Sequence, residues 1–233
     1  MSFLHLGRIV AAFQRPVRSR NLAWAEPFLI GPVPVTLGGR AVTQVDGTTC
    51  GATVLLMLRA SGDPQLAAEL DEHPHSIAAK QLAIFDHIRS HAVGPLRWPR
   101  RFGSPPWTLA REAVFPGVTY RSVAVNDRSR DGREILSAVW NANRAGIPVP
   151  LYTGGNVGQG IARAVPRHVV LAVPPSVPSH ERKLRIYEPS TGTLVDIALD
   201  DLVNRTAPHP ALGGWTHVVW AVLPTPTARI ATR

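Results

Sequence analysis

The stretch from Val42 to Leu58 constrains this chain more than any other: a polar, turn-forming segment runs directly into an apolar one. The only cysteine of the protein, Cys50, stands at the junction. The apolar run predicts a helix from Cys50 to about Ala60, because Ser-Gly-Asp-Pro follows and ends it. A thiol at a helix N-terminus has its thiolate stabilised by unpaired N–H groups and by the helix dipole. The alternative is that Cys50 is a core residue, since free cysteine is among the most buried residue types.

Two neighbours of Cys50 fit a reactive thiol. Gly51 is expected to leave room for a substrate backbone to approach the sulfur. Gln44, six residues upstream, is expected to turn its side-chain amide toward the place where an oxyanion would develop. Taken alone, Gln44 is equally well explained as an ordinary loop residue.

The composition indicates a single globular domain, with almost half of the 233 residues apolar. One cysteine excludes an internal disulfide and a cysteine-rich zinc site, and it fits a reducing compartment. No apolar run approaches the roughly 18 residues that cross a bilayer. We therefore expect a cytoplasmic protein, with secretion not excluded. Residues 1–40 are expected to form an extension that wraps the domain, residues 41–224 the domain, and residues 225–233 a tail.

The net charge of +9 comes almost entirely from arginine, since Lys80 and Lys183 are the only lysines. Such a charge would suit an acidic partner such as nucleic acid. The arginines are scattered, however, and neither an RNA-binding aromatic signature nor a zinc-finger spacing accompanies them. A solvated basic surface explains them, and we expect no nucleic-acid partner.

The order of the predicted elements is typical of an α+β fold, with helices first and an antiparallel set of strands afterwards. Beyond the Cys50 helix, the patterns predict the helices 64–70, 76–92, 105–114 and 131–145. They also predict strands over 118–125, 148–152, 168–173, 183–187 and 215–223, with a helical turn over 199–205.

Histidines gather between residues 73 and 91, where His87 and His91 have the i, i+4 spacing of metal ligands on a helix. No H-E-x-x-H motif includes them, so we interpret them as solvent-exposed histidines. The sequence therefore predicts no metal and no cofactor.

A thiol nucleophile needs a general base and a group that orients it. His168 opens a strand, His-Val-Val-Leu-Ala-Val, and Glu188 ends the next one, before a turn. Two adjacent antiparallel strands would bring the carboxylate of Glu188 to the Nδ1–H of the His168 ring. Singly, His168 is as well explained as a core histidine and Glu188 as a turn residue. Asp196 and Asp200 are the rival carboxylates.

Together these motifs resemble the papain-like bacteriocin-processing peptidases, whose domains usually lie at the N-terminus of peptide-exporting ABC transporters. The resemblance covers residues 42–60 and 166–223 and rests on the Gln-to-Cys spacing, on Cys-Gly-Ala, on His-Val-Val-Leu and on Glu-Pro-x-x-Gly. It implies a papain-like fold with the cysteine helix packed against a C-terminal antiparallel sheet. It also implies Cys50 as nucleophile, His168 as base, Glu188 as orienting group and Gln44 as oxyanion donor.

The resemblance implies a thiol hydrolase that acts on a peptide or amide bond of a peptide or protein substrate. Three departures limit it. The family usually has Asp where this chain has Glu188, the stretch 66–165 is longer than expected, and the 233 residues contain no transporter. Cleavage after a double-glycine leader is therefore not implied. Two alternatives stay open: an acyl transferase with the same residues, and a catalytically idle binding module of the same fold.

Overall fold

The computed structural model describes residues 32–90, 92–155, 168–175 and 181–226. His91, most of the predicted N-terminal extension and most of the predicted tail lie outside these residues. The domain bounds at residues 41 and 224 stay a prediction.

A seven-stranded sheet is the largest element of the fold, with the strand order β1-β8-β7-β6-β5-β9-β4 and antiparallel pairing throughout. A separate two-stranded ribbon pairs β2 with β3. The strands are β1 (Val33–Pro34), β2 (Thr36–Leu37), β3 (Arg40–Ala41), β4 (Val118–Ala124), β5 (Val149–Gly154), β6 (His168–Val173), β7 (Lys183–Glu188), β8 (Thr193–Ala198) and β9 (His217–Pro226).

Six α-helices lie among the described residues: α1 (Cys50–Gly62), α2 (Pro64–Glu72), α3 (Ile77–Ser90), α4 (Pro106–Glu112), α5 (Arg130–Arg144) and α6 (Leu199–Val203). Helix α1 is apolar on all sides and is buried along almost its whole length, as expected of a helix with no solvent-facing side. It packs on β6 and on α2, α3 and α4. The predicted α+β class, with the cysteine helix packed against an antiparallel sheet, is confirmed.

Local sequence explains where the flanking helices begin. Asp63 caps α2 by accepting from the backbone N–H groups of Gln65 and Leu66, and Pro64 takes the first helical position. Ser129 caps α5 in the same way by accepting from the N–H of Gly132.

The chain before Cys50 is tied to the turn that follows β7. The hydroxyl of Tyr187 donates to the carbonyl of Val42 at 2.7 Å, and the N–H of Gln44 donates to the carbonyl of Pro189 at 2.8 Å. Gly192 has a φ of 68°, and a Cβ there would lie 2.7 Å from the Val42 carbonyl oxygen. The close approach therefore favours glycine at this turn.

Strand β8 was not among the predicted strands. It pairs with β7 along its whole length, and Asp196 on β8 accepts two hydrogen bonds of 2.8 Å from Arg185 on β7. Asp196, a rival to Glu188 in the sequence, is therefore engaged by an arginine.

No helix within the described part of the chain has both the length and the apolar character that crossing a membrane requires.

Candidate active site

Cys50 is the first residue of α1 and is buried where the loop from Gln44 enters the helix. Thr49 does not cap the helix, because its hydroxyl donates to the carbonyl of Asp46 at 3.1 Å and accepts from the Asp46 N–H at 3.0 Å. The first backbone bond of the helix turn runs from the Thr53 N–H to the Thr49 carbonyl at 3.0 Å. The N–H groups of the first turn thus have no Thr49 cap, and the positive end of the helix dipole lies at the cysteine.

Gly51 is needed for packing and not for substrate access. A Cβ at this position would lie 2.6 Å from the Oγ and 2.7 Å from the Cβ of Ser104. The expectation that Gly51 leaves room for a substrate is therefore wrong, because Ser104 fills that space. The hydroxyl of Tyr152 donates to the Ser104 carbonyl at 2.8 Å and fixes this residue. Burial, and then the nearby Cys50, raise the pKa of Tyr152 well above its usual range, so the phenol stays neutral.

His168 and Glu188 project from the same face of the sheet. Antiparallel pairing of β6 with β7 sets Leu171 opposite Tyr187. Side chains alternate between the faces of a strand, so Glu188, next to Tyr187, and His168, three residues before Leu171, both point to the other face. The two strands are adjacent and antiparallel, as the sequence predicted, and their pairing brings the two side chains together.

The carboxylate of Glu188 contacts the other ring nitrogen from the one predicted. Its Oε1 lies 2.6 Å from Nε2 of His168, so the expectation of a bond to Nδ1 is wrong. Cys50 lies beside the same ring, since its thiol is among the groups that raise the pKa of His168. With Nε2 engaged by Glu188, Nδ1 is the ring nitrogen left for the thiol. Cys50 and Glu188 thus both act on one imidazole.

The turn after β7 surrounds the Glu188 carboxylate with donors. Oε1 accepts from the N–H of Ser190 at 2.9 Å, and Oε2 accepts from the Ser190 hydroxyl at 2.7 Å. Oε2 also accepts from the N–H and the hydroxyl of Thr191, each at 2.9 Å. The glutamate side chain folds back over its own turn, which is how a residue one methylene longer than aspartate fits at this position.

These contacts set the charges of the pair. Burial opposes the charged imidazole, but the hydrogen bonds to Cys50 and Glu188 outweigh burial and raise the pKa of His168 to about 9. Burial also disfavours the charged carboxylate, yet the hydrogen bonds from His168 and Ser190 lower the pKa of Glu188 to about 2. Between these two values an imidazolium faces a carboxylate, and the pair is an ion pair at neutral pH.

Gln44 lies between the Cys50 helix and the Glu188 turn. Its Nε2 donates to the carbonyl of Asp46 at 2.7 Å. Its Oε1 is buried and has no partner among the described residues. A side-chain amide carries two N–H donors, so one remains after the bond to Asp46. The assignment of that donor to an oxyanion stays a prediction.

A second buried histidine and carboxylate pair was not predicted from the sequence. Nδ1 of His217 lies 3.1 and 3.2 Å from the two carboxylate oxygens of Asp127, which also accepts from the N–H of Val218 at 3.0 Å. The pair connects the segment after β4 to the start of β9. Burial raises the pKa of Asp127 although His217 and Val218 act in the opposite direction. The only signal in the sequence was an Asn-Asp turn after a strand.

Of the two histidines with metal-ligand spacing, the structure describes only His87. His87 is half exposed and lies 3.2 Å from Oε2 of Glu112, whereas His91 lies outside the described residues. No group of three or more potential metal ligands occurs within the described ranges.

No protein-family model matches the chain, and no curated protein matches it. Among solved structures, the chain is similar to the crystal structure of a double glycine motif protease from an AMS/PCAT transporter in complex with the leader peptide. The two are 13% identical, and the alignment covers 85% of this chain and 100% of that one with a TM-score of 0.43.

Proposed function

We propose that the protein is a papain-like thiol hydrolase that cleaves a peptide or amide bond through Cys50, His168 and Glu188. One observation carries the proposal: a buried imidazole bonds a buried carboxylate and lies beside the only thiol of the chain, which helps to raise its pKa. The thiol stands at a helix N-terminus, which favours a thiolate. A histidine that only fills space in the core would need neither a carboxylate on one side nor a thiol on the other.

In the resting enzyme, the proton of the thiol resides on Nδ1 of His168, so a thiolate faces an imidazolium. The thiolate attacks the carbonyl carbon of the substrate, and a carbon–sulfur bond forms as the carbonyl π electrons move to oxygen. The oxyanion accepts from the backbone N–H of Cys50 and from the free N–H of Gln44.

The imidazolium then gives its Nδ1 proton to the leaving amine as the carbon–nitrogen bond breaks, and a thioester remains on Cys50. Neutral His168 next takes a proton from water, whose oxygen attacks the thioester carbon. The carbon–sulfur bond then breaks, which releases the acid and restores the thiolate–imidazolium pair. Glu188 keeps the ring oriented and stabilises its positive charge in both steps. An amine in place of water would make the protein an acyl transferase.

The test of this function is selective alkylation of Cys50 by iodoacetamide at pH 6. A free thiol with a pKa of about 8.5 is only about 0.3% ionised there, whereas a thiolate paired with an imidazolium persists. We expect alkylation at least tenfold faster than that of free cysteine at the same pH, measured by intact mass. The variant Cys50→Ser, which has no thiol, gives the background. Alkylation no faster than that of free cysteine would favour the idle binding module.

Loss of the side-chain amide at residue 44 should affect the rate far more than folding, because the only native bond that its N–H groups make within the described part of the chain is the one to the Asp46 carbonyl. We expect Gln44→Ala to lower turnover about 10²-fold, as removal of one oxyanion donor does. Gln44→Glu is the matched variant, because it keeps the size of the side chain and removes both N–H donors. Turnover on a cleaved peptide and the free energy of unfolding should be measured together. Wild-type turnover in both variants would show that Gln44 is an ordinary loop residue and not an oxyanion donor.

A further inference from the structure

The segment that covers the His168 ring comes from a distant part of the chain. Residues Pro210–Leu212 form a short 3₁₀-helix that is closed by Gly213 in the left-handed conformation, with a φ of 63°. The turn packs on β6, β7 and β8. Thr153, directly opposite His168 on the neighbouring strand, donates its hydroxyl to the Leu212 carbonyl at 3.0 Å, and this bond is buried.

Gly213 lies against the edge of the imidazole that carries Nε2. A Cβ on this residue would be 2.3 Å from Cδ2, 2.7 Å from Nε2 and 3.2 Å from Cγ of His168. Contacts below 3.0 Å are closer than a real Cβ approaches, so any side chain here would displace the ring or the turn. The ring that Gly213 contacts is the one whose Nε2 bonds Glu188 at 2.6 Å.

We infer that Gly213 is a positioning residue: the turn 210–213 holds the His168 ring so that Nε2 stays on Glu188 and Nδ1 stays on Cys50. The backbone at Gly213 covers the bond between His168 and Glu188, and it blocks rotation of the ring away from that bond. Only glycine allows this approach, because it has no Cβ and adopts positive φ at low cost. The expected change in turnover rests on the proposed function, whereas the expected change in the position of the His168 ring does not.

The variant Gly213→Ala tests the inference without a known substrate. The added methyl group should push the ring off Glu188 and move the titration midpoint of His168, followed by NMR, from about 9 toward the ordinary value. Alkylation of Cys50 at pH 6 should slow at least tenfold. On a cleaved peptide, turnover should fall about 10²-fold with KM little changed, because a small misplacement of a catalytic group costs about that much.

Gly214→Ala is the matched control. Gly214 also has a positive φ, 79°, but a Cβ on it would meet nothing within 4 Å. This variant therefore has the same kind of backbone strain without the contact to His168, and its alkylation rate and His168 midpoint should equal those of the wild type. Equal effects of the two variants would overturn the inference, because strain alone would then explain them.

Thr153→Val provides a second variant if Gly213→Ala does not fold. It removes the bond to Leu212 while it keeps the shape of the side chain, so the turn is loosened and no atom is added against the ring. Alkylation at pH 6 should fall about two- to tenfold, the equivalent of one hydrogen bond. A wild-type rate and a wild-type His168 midpoint in Thr153→Val or in a folded Gly213→Ala would overturn the positioning role. Slow alkylation of the wild type itself would instead count against the proposed function.

Discussion

Replacement of His168 by alanine should lower turnover roughly 10⁴- to 10⁶-fold, the range found when the base of a catalytic triad is removed. The variant loses the group that takes the thiol proton, gives it to the leaving amine and activates water. The loss should appear in kcat on a cleaved peptide. Alkylation of Cys50 at pH 6 should fall at the same time toward the rate of a free thiol, because no imidazolium remains and only the helix N-terminus still stabilises the thiolate.

The control for His168→Ala is His75→Ala, which removes an exposed histidine distant in sequence from the site. Its turnover and alkylation rate should equal those of the wild type. Unchanged alkylation at pH 6 in a folded His168→Ala protein would contradict the thiolate–imidazolium pair. The helix N-terminus would then be the sole cause of the reactivity of Cys50.

Glu188→Ala should lower turnover roughly 10²- to 10⁴-fold, because the ring loses both its orientation and the negative charge at Nε2. Glu188→Gln keeps a side chain of the same size but removes the charge that favours the imidazolium. It also sets an amide NH₂ against the donors of Ser190 or Thr191, so at least one of the bonds at 2.7 to 2.9 Å is lost. The titration midpoint of His168 should fall in both variants.

Glu188→Asp is the informative companion, since it keeps the charge and shortens the side chain by one methylene. The shorter side chain cannot reach His168 and fold back over Ser190 and Thr191 as glutamate does. We expect turnover between those of the wild type and Glu188→Ala, with a His168 midpoint that stays above the ordinary value of 6.5. A midpoint in Glu188→Ala equal to that of the wild type would show that another group orients the ring.

The same pair gives the pH dependence of stability a definite sign. The carboxylate of Glu188, lowered from 4.5 to a pKa of about 2, contributes stability that is complete above pH 4.5 and is lost as the pH falls through about 2. The imidazole of His168, raised from 6.5 to a pKa of about 9, contributes stability that is complete below pH 6.5 and is lost as the pH rises through about 9. Melting temperatures should therefore be highest between pH 4.5 and 6.5, and Glu188→Gln should flatten the profile on both sides.

Local patterns in the sequence predicted most helices and strands of this fold. The boundary between polar and apolar residues placed the start of α1 at Cys50, and the capping residues Asp63 and Ser129 account for the starts of α2 and α5. The sequence also placed His168 at the start of one strand and Glu188 at the end of the next, and these two strands are adjacent in the sheet. Strand β8 was missed because its sequence, TLVDIA, lacks a clean alternation of apolar and polar residues.

What the sequence did not predict depends on contacts between distant residues. The side chain that fills the space at Gly51 comes from Ser104, and the backbone that covers His168 comes from Gly213. The choice of Nε2 over Nδ1 is likewise fixed by how the turn after β7 directs the carboxylate. No local pattern encodes such choices, because they arise only when separate elements pack together.

Cys50 is far in sequence from His168 and Glu188, and this distance determines when its thiol becomes reactive during synthesis. The segment leading to Cys50 is bound at Val42 by Tyr187, 145 residues further along the chain. Cys50 therefore leaves the ribosome long before His168 and Glu188, and a nascent chain contains the thiol without the imidazole. Closure of such a long loop is among the slower steps of folding. The proposed hydrolase would thus be inert until the strands that carry His168 and Glu188 have been synthesised and have paired, so the nascent chain is not exposed to a reactive thiol of its own before then.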